Sequence, residues 1–146
     1  MSNIREIRLL IVEDDLGHAT LVQMNLEEAG FHNKIDHVEN GQLAIDYVTA
    51  FINQTPNESL LILLDINMPV LDGFQVLERL KSNPRTKHIP VIMLTSTDSE
   101  EEIQRAYALG CNVYLRKPVD YEQFMVAIKN LGLFLSVVEL PDTANN

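Results

Sequence analysis

The chain has 146 residues, of which 46% are hydrophobic and 22% charged, which fits one folded domain and excludes an intrinsically disordered protein. Its formal net charge of −10 argues against general binding to nucleic acid or anionic lipid, because both require a basic face. The single cysteine cannot form an internal disulfide, and no apolar run approaches the roughly 18 residues of a membrane span. We therefore expect a cytoplasmic protein that binds neither membranes nor nucleic acid.

Five short apolar runs along the chain predict β-strands. The first, third and fourth are apolar at nearly every position, which is typical of strands that are buried on both faces of a sheet. In chain order the five runs are Arg8–Val12, Lys34–Val38, Leu60–Leu64, Pro90–Leu94 and Asn112–Leu115.

The segments between these runs carry helix signals. Helices are predicted over about 19–29, from Asn40, over Gly73–Lys81, from the acidic turn at 97–101 to Gly110, and from about Asp120. The longest polar connection, Thr49–Ser59, is interpreted as a surface loop. Alternating strands and helices predict parallel strands joined by right-handed crossovers, with helices on both faces of one sheet.

Polar residues follow four of the five predicted strands. Ligands of an open parallel sheet bind beyond the carboxyl ends of its strands, so these residues are expected to converge on one edge. They are Glu13-Asp14-Asp15, Asp65, Thr95-Ser96 and Arg116-Lys117-Pro118.

The chemistry of this set points to a phosphoryl group and a metal ion. Two carboxylates about 4 Å apart repel by roughly 4 kcal/mol at an effective dielectric near 20, so several together need protons or a cation. Oxygen ligands without cysteine or histidine favour a hard ion such as Mg²⁺. A metal, an ammonium and a hydroxyl can hold phosphoryl oxygens while a carboxylate attacks phosphorus, forming an aspartyl phosphate.

The sequence resembles the receiver domains of two-component response regulators over about residues 8–131. The likeness is carried by the acidic pair at 13–14, the stretch Leu-Asp-Ile-Asn-Met-Pro-Val-Leu-Asp-Gly at 64–73, the run Leu-Thr-Ser at 94–96, and Lys117-Pro118. Asp65 precedes Thr95 by 30 residues and Lys117 by 52, separations that are usual in that family. The resemblance implies a flavodoxin-like, doubly wound α/β fold with strand order 2-1-3-4-5.

The resemblance also implies how the phosphoryl group and the metal are held. Asp65 is the expected phosphoacceptor, taking the group from the phosphohistidine of a histidine kinase. Mg²⁺ or Mn²⁺ is expected on Asp65, on Asp14, on Glu13 through water and on the backbone carbonyl of Asn67. Lys117 is expected to pair with the phosphoryl oxygens.

Four positions match residues that govern switching or phosphoryl lifetime in that family. Thr95 and Tyr114 correspond to its switch pair, in which the hydroxyl moves to the phosphoryl group and the aromatic ring turns inward. Asn67 and Thr97 lie where the family tunes phosphoryl lifetime. The implied protein is a switch that catalyses only its own phosphorylation and dephosphorylation.

Two alternative functions share parts of this pattern. A haloacid-dehalogenase-like phosphatase also uses a strand-end aspartate and Mg²⁺, but it needs a second acid at position 67, where this chain has asparagine. A flavodoxin-like carrier needs a phosphate-binding loop after the first strand, and the acids at 13–15 would repel phosphate there.

Several polar residues have simpler structural interpretations. Asp15 is expected to cap the first helix or to face solvent, and Asp72 is explained by its turn before Gly73. The four histidines share no face, so they are interpreted as surface or partly buried structural residues; they are His18, His32, His37 and His88.

The C-terminal part predicts how the protein signals. Residues 1–140 are expected to form one receiver domain with an extended last helix and tail, without an effector domain, and 141–146 a flexible end. Runs at 109–114, 120–124 and 131–135 resemble the regulators paired with bacterial, notably cyanobacterial, phytochrome kinases, which tend to dimerise through such a tail. A homodimer is therefore expected through an apolar patch made of Leu133, Phe134, Leu135, Val137 and Val138.

Overall fold

Five strands and five helices alternate in the computed structural model, which describes residues 6–28, 30–54, 58–96, 99–117 and 121–130. The strands are β1 (Glu6–Val12), β2 (Ile35–Val38), β3 (Glu58–Asp65), β4 (Val91–Thr95) and β5 (Val113–Arg116). The helices are α1 (Leu16–Glu28), α2 (Gly41–Gln54), α3 (Gly73–Lys81), α4 (Glu100–Ala108) and α5 (Tyr121–Asn130). The predicted dimer patch at 133–138 lies outside the described residues.

The strands form one parallel sheet in the order β2-β1-β3-β4-β5. This confirms the predicted doubly wound α/β fold. Strands β1, β3 and β4 are buried over nearly their whole length, whereas the edge strands β2 and β5 are half-buried. The continuous apolar runs therefore identified the central strands correctly.

Two apolar clusters cover the two faces of the sheet. Successive residues of a strand point to opposite faces, so Leu10 and Val12 pack with α2, α3 and α4, while Leu9 and Ile11 pack with α1 and α5. Each fully buried Leu or Ile contributes about 1.5–3 kcal/mol relative to exposure. In the part of the chain that is described, no helix has the length and apolar character needed to cross a membrane.

The segment Thr49–Ser59 is the place where the expected secondary structure was wrong. Residues 49–54 continue α2, and β3 begins at Glu58, so the described ends of the two elements leave only three residues between them. The helix continues because Val48 and Phe51 extend its buried stripe, while the polar residues face water. The strand begins early because the Glu58 carboxylate binds the guanidinium of Arg8 with two contacts of 2.9 Å.

Candidate functional site

The register of the sheet brings the strand-end residues together. Val12 pairs with Leu64 across β1 and β3, so the next residues, Glu13 and Asp65, leave neighbouring strands at the same level. The register of β4 with β5 pairs Thr95 with Arg116, which places Lys117 at that same edge. Parallel pairing thus collects residues separated by more than 100 positions into one site.

Three carboxylates converge at this edge. Ligand oxygens of Glu13, Asp14 and Asp65 all lie within 4.8 Å of one another. Glu13 and Asp65 are buried, and Asp14 is exposed, so the cluster opens to solvent on one side. A set of three carboxylate ligands with an open side fits a hard divalent cation such as Mg²⁺, which keeps several waters and takes one or two carboxylates from the protein.

Lys117 bridges the two buried carboxylates. Its Nζ lies 2.9 Å from Oε1 of Glu13 and 2.9 Å from Oδ1 of Asp65. One ammonium therefore faces two carboxylates, which leaves a net negative charge in a buried place. That charge attracts a cation.

The three groups perturb one another's ionisation. Burial is the largest cause that raises the pKa of Asp65 to about 6, with the Glu13 charge adding to it, while Lys117 opposes the rise. Burial also disfavours ionised Glu13, but hydrogen bonds from Lys117, the Asp15 amide and His18 together bring its pKa below the ordinary value. The two carboxylates raise the pKa of Lys117 against the opposing effect of its burial.

The loop after Asp65 is tied closely to the strand that carries it. The amide of Gly73 donates to the Ile66 carbonyl at 2.8 Å, and Asp72 and Gln75 form a capping box at the start of α3. A side chain at Gly73 would place its Cβ 2.4 Å from the carbonyl oxygen of Asp65. The first turn of α3 thus sits directly against the backbone of Asp65, and only glycine allows that approach.

The predicted switch residues lie beside this site. Thr95 is fully buried at the end of β4, and its hydroxyl lies 3.4 Å from Oε1 of Glu102 on α4. Tyr114 is half-buried on β5 and packs against the cluster on the α2, α3 and α4 side of the sheet. Asn67 is exposed just after β3. Thr97 lies outside the described residues.

Two of the polar residues assigned structural roles cap helices. Asp15 accepts the His18 amide at 3.2 Å at the start of α1, and Asp72 caps α3. The expectation that these two aspartates act structurally is therefore confirmed. Asn40 caps α2 in the same way, since its side chain accepts the Leu43 amide at 2.8 Å.

The interpretation of the histidines missed a contact with the site. Nδ1 of His18 lies 2.8 Å from Oε1 of Glu13, and Nε2 of His37 lies 2.7 Å from the Glu13 carbonyl oxygen. The sequence feature that could have predicted the His18 contact is the position of His18 in the first turn of the helix that follows Glu13. The contact of His37 depends on the pairing of β2 with β1 and has no local signal.

Comparison with known proteins decides the family. The profile of the response regulator receiver domain matches residues 9–129. The chain belongs to the response regulator receiver domain family. Receiver domains are signalling modules that interact with histidine kinases and bind Mg²⁺ or Mn²⁺ at an acidic pocket. The match favours a receiver domain over the phosphatase and the carrier considered above.

This receiver domain is similar in sequence to response regulators of different lengths. It is 33% identical to response regulator Rcp1 of Synechocystis over 140 residues, covering 91% of this chain and 92% of Rcp1. By contrast, it spans only 48% and 51% of the Synechocystis proteins RpaA and Rre1, at 34% and 33% identity.

Solved receiver structures show the same fold. The bacteriophytochrome response regulator AtBRR superposes with a TM-score of 0.79 at 34% identity, covering 93% of this chain and 98% of that one. The bacteriophytochrome response regulator RtBRR gives a TM-score of 0.78 at 35% identity, with coverages of 94% and 84%. Rcp1 has been solved with Mn²⁺ bound; that structure gives 0.66 at 33% identity, with coverages of 92% and 98%.

Proposed function

We propose that this receiver domain accepts a phosphoryl group on Asp65 from the phosphohistidine of a histidine kinase, and that the modified domain signals through protein contacts. The observation that carries the proposal is the pair of 2.9 Å contacts that join Lys117 to Asp65 and to Glu13. These contacts put a fixed cation next to the carboxylate that would react.

The transfer step follows from this geometry. An oxygen of the Asp65 carboxylate attacks phosphorus, the phosphorus–nitrogen bond of phosphohistidine breaks, and its electron pair stays on the imidazole nitrogen. Lys117 already lies within reach of Asp65, where it can hold a phosphoryl oxygen. Asp65, Asp14 and the carbonyl of Asn67, with Glu13 acting through water, would hold Mg²⁺ or Mn²⁺, whose chemistry is to neutralise charge on the phosphoryl oxygens.

The switch would start at Thr95. Its hydroxyl lies near Glu102 on α4, so turning toward a phosphoryl group on Asp65 changes a link between the site and that helix. Tyr114, on the adjacent strand, would then turn inward. Phosphorylation would thereby shift the population of two arrangements of the surface around α4 and β5. In this proposal the domain is a switch, and its only catalysis is its own phosphorylation and dephosphorylation.

Phosphorylation can be tested with a small phosphodonor. Incubating the purified chain with acetyl phosphate and Mg²⁺ should add one phosphoryl group, detected by intact-mass spectrometry. Asp65→Asn should abolish the adduct, whereas Asp46→Asn, at an exposed position of α2, should leave it intact. A full adduct on the Asp65→Asn chain would contradict the assignment of the phosphoacceptor.

We propose a phytochrome-type histidine kinase as the partner, with both proteins in the cytoplasm. The support is the similarity to AtBRR and RtBRR, which are named as bacteriophytochrome response regulators. Phosphotransfer from purified, autophosphorylated kinases should be faster from phytochrome-type kinases than from other histidine kinases. Equal or slower transfer from the phytochrome-type kinases would contradict this partner.

We also propose a homodimer formed by Leu133, Phe134, Leu135, Val137 and Val138. The support is their apolar sequence. Sedimentation of the full chain should show a dimer that the double substitution of Leu133 and Phe134 by Asp dissociates. Leu21→Asp, on the exposed side of α1, is the matched control and should leave the dimer intact. A monomeric full chain would contradict the proposal.

A further inference from the structure

Glu13 is held by two histidines that come from different elements. His18, in the first turn of α1, places Nδ1 2.8 Å from Oε1 of the Glu13 side chain. His37, on the edge strand β2, places Nε2 2.7 Å from the Glu13 carbonyl oxygen. The residue is therefore held by its side chain and by its backbone at once.

The partners define which ring nitrogens donate. A carbonyl oxygen can only accept a hydrogen bond, so Nε2 of His37 carries the hydrogen. The ionised Glu13 carboxylate also only accepts, so Nδ1 of His18 carries the hydrogen there. The Asp15 amide donates to Oε2 of Glu13 at 3.2 Å, and both carboxylate oxygens thus have a donor from the protein.

Burial limits the hydrogen bonds that the His18 ring can make. The side chain of His18 is 17% exposed and that of Glu13 is 2% exposed. Nε2 of His18 is buried and has no hydrogen-bond partner among the described residues. Leaving a buried polar atom without a partner is unfavourable, so the ring is held in place by its other contacts. The ring is thus oriented by its Nδ1 contact with Glu13.

Lys117 and His18 share one oxygen of Glu13 but differ in what else they hold. Lys117 also contacts Asp65 at 2.9 Å, so it is drawn toward any phosphoryl group on that residue. His18 makes no second contact of this kind among the described residues, because its other ring nitrogen, Nε2, is buried without a hydrogen-bond partner. When Lys117 turns to a phosphoryl group, His18 and the Asp15 amide remain to orient the carboxylate.

We propose that His18 is a positioning residue for Glu13. It keeps the Glu13 carboxylate oriented toward the metal site while Lys117 contacts the phosphoryl group. The proposal rests on the proposed function for the phosphoryl step, but its effect on metal binding can be measured without phosphorylation. Groups that orient metal ligands in this way strongly affect metal affinity.

The test compares two substitutions at His18. Leu fills a similar space without a donor, whereas the amide nitrogen of Asn occupies the position of Nδ1 and can donate. His18→Leu should weaken Mg²⁺ binding, measured by isothermal titration calorimetry on the full chain, by about tenfold, while His18→Asn should stay within about threefold of the unaltered chain. His32→Leu, an exposed histidine, is the matched control and should change nothing.

A second measurement separates positioning from a general structural effect. The rate of phosphorylation by acetyl phosphate is followed as a function of Mg²⁺ concentration. His18→Leu should raise the Mg²⁺ concentration that gives half the maximal rate by about tenfold and leave the maximal rate nearly unchanged. Circular dichroism confirms that each variant is folded at the temperature used.

The outcomes distinguish this proposal from the proposed function. Unchanged Mg²⁺ affinity in His18→Leu, or equal weakening in His18→Asn and His18→Leu, would overturn the positioning role. If Mg²⁺ binding weakens in His18→Leu and recovers in His18→Asn, the positioning role is supported even if Asp65 is never phosphorylated. In that case only the proposed phosphorylation would be wrong. A full chain that does not bind Mg²⁺ would overturn both.

Discussion

The ammonium of Lys117 lies 2.9 Å from the Asp65 carboxylate, at the end of the central strand β3. The same ammonium lies 2.9 Å from the Glu13 carboxylate, so one positive charge is paired with two buried negative charges. Burial of the Asp65 carboxylate, with the Glu13 charge adding to it, raises the pKa of Asp65 to about 6. Without a further cation the site therefore carries an uncompensated negative charge. The stability of the protein and its affinity for ions depend on that charge.

Asp65→Asn should stabilise the metal-free protein near neutral pH. The pKa of Asp65 is raised in the folded state, so its ionisation costs folding free energy that is fully present above about pH 6 and disappears as the pH falls toward the unfolded value near 4. We expect the free energy of unfolding to rise by about 1–3 kcal/mol at pH values above 6. Urea denaturation in the presence of a chelator measures it.

The pH dependence is the control for that experiment. Because the carboxyl group of the unaltered chain is protonated below about pH 4, the two proteins should have similar stability there. A difference that stays constant from about pH 4 to pH 7.5 would show that the gain has another origin than the ionisation of Asp65.

Lys117→Met should destabilise the metal-free protein, because it leaves Glu13 and Asp65 facing each other without a cation. We expect a loss of about 1–3 kcal/mol in the free energy of unfolding, limited because Asp65 can take up a proton. Saturating Mg²⁺ should recover most of the loss, since binding to the folded state alone stabilises it. The exposed Lys87, changed to Met, should alter stability by less than about 0.5 kcal/mol.

Mg²⁺ binding should weaken in acid. Protons compete with the metal for Asp65, whose pKa of about 6 lies within the accessible range. The association constant is expected to be nearly constant above about pH 7 and to fall about tenfold per pH unit once the pH is below 6. Calorimetric titrations across this range, in buffers of different ionisation enthalpy, also count the released protons. An affinity that does not change down to about pH 5 would contradict the raised pKa.

Gly73→Ala should damage both the fold and the site. The added Cβ would lie 2.4 Å from the Asp65 carbonyl oxygen and 2.8 Å from Cα of Ile66, so the backbone at Asp65 or the start of α3 must move. We expect a loss of about 1–3 kcal/mol in the free energy of unfolding, together with slower phosphorylation at saturating Mg²⁺.

Gly17→Ala is the matched control for this substitution. Gly17 lies within α1, and among the described residues an added Cβ there would meet only the Asp15 side chain, at 3.3 Å. Its effect should lie between zero and a gain of about 1 kcal/mol. Equal destabilisation by both substitutions would contradict the specific contact at Gly73.

The order of elements and the central strands could be predicted from sequence because each depends on local pattern. Continuous apolar runs identified β1, β3 and β4, and alternation with helical patterns led to the parallel sheet. The segment Thr49–Ser59 could not be predicted in this way. Its polar residues resemble a loop, and only burial of Phe51 and the ion pair between Arg8 and Glu58 extend the helix and the strand into it.

The amino-acid sequence alone determined the fold and the receiver family, because these depend on hydrophobic periodicity and on motifs at fixed separations. It also indicated the acidic cluster, since parallel strands present their carboxyl ends at one edge. Only the tertiary structure decided that Lys117 bridges Glu13 and Asp65 and that His18 and His37 hold Glu13. Such contacts depend on strand register and on side-chain directions to within a few tenths of an ångström, which residue spacing does not encode.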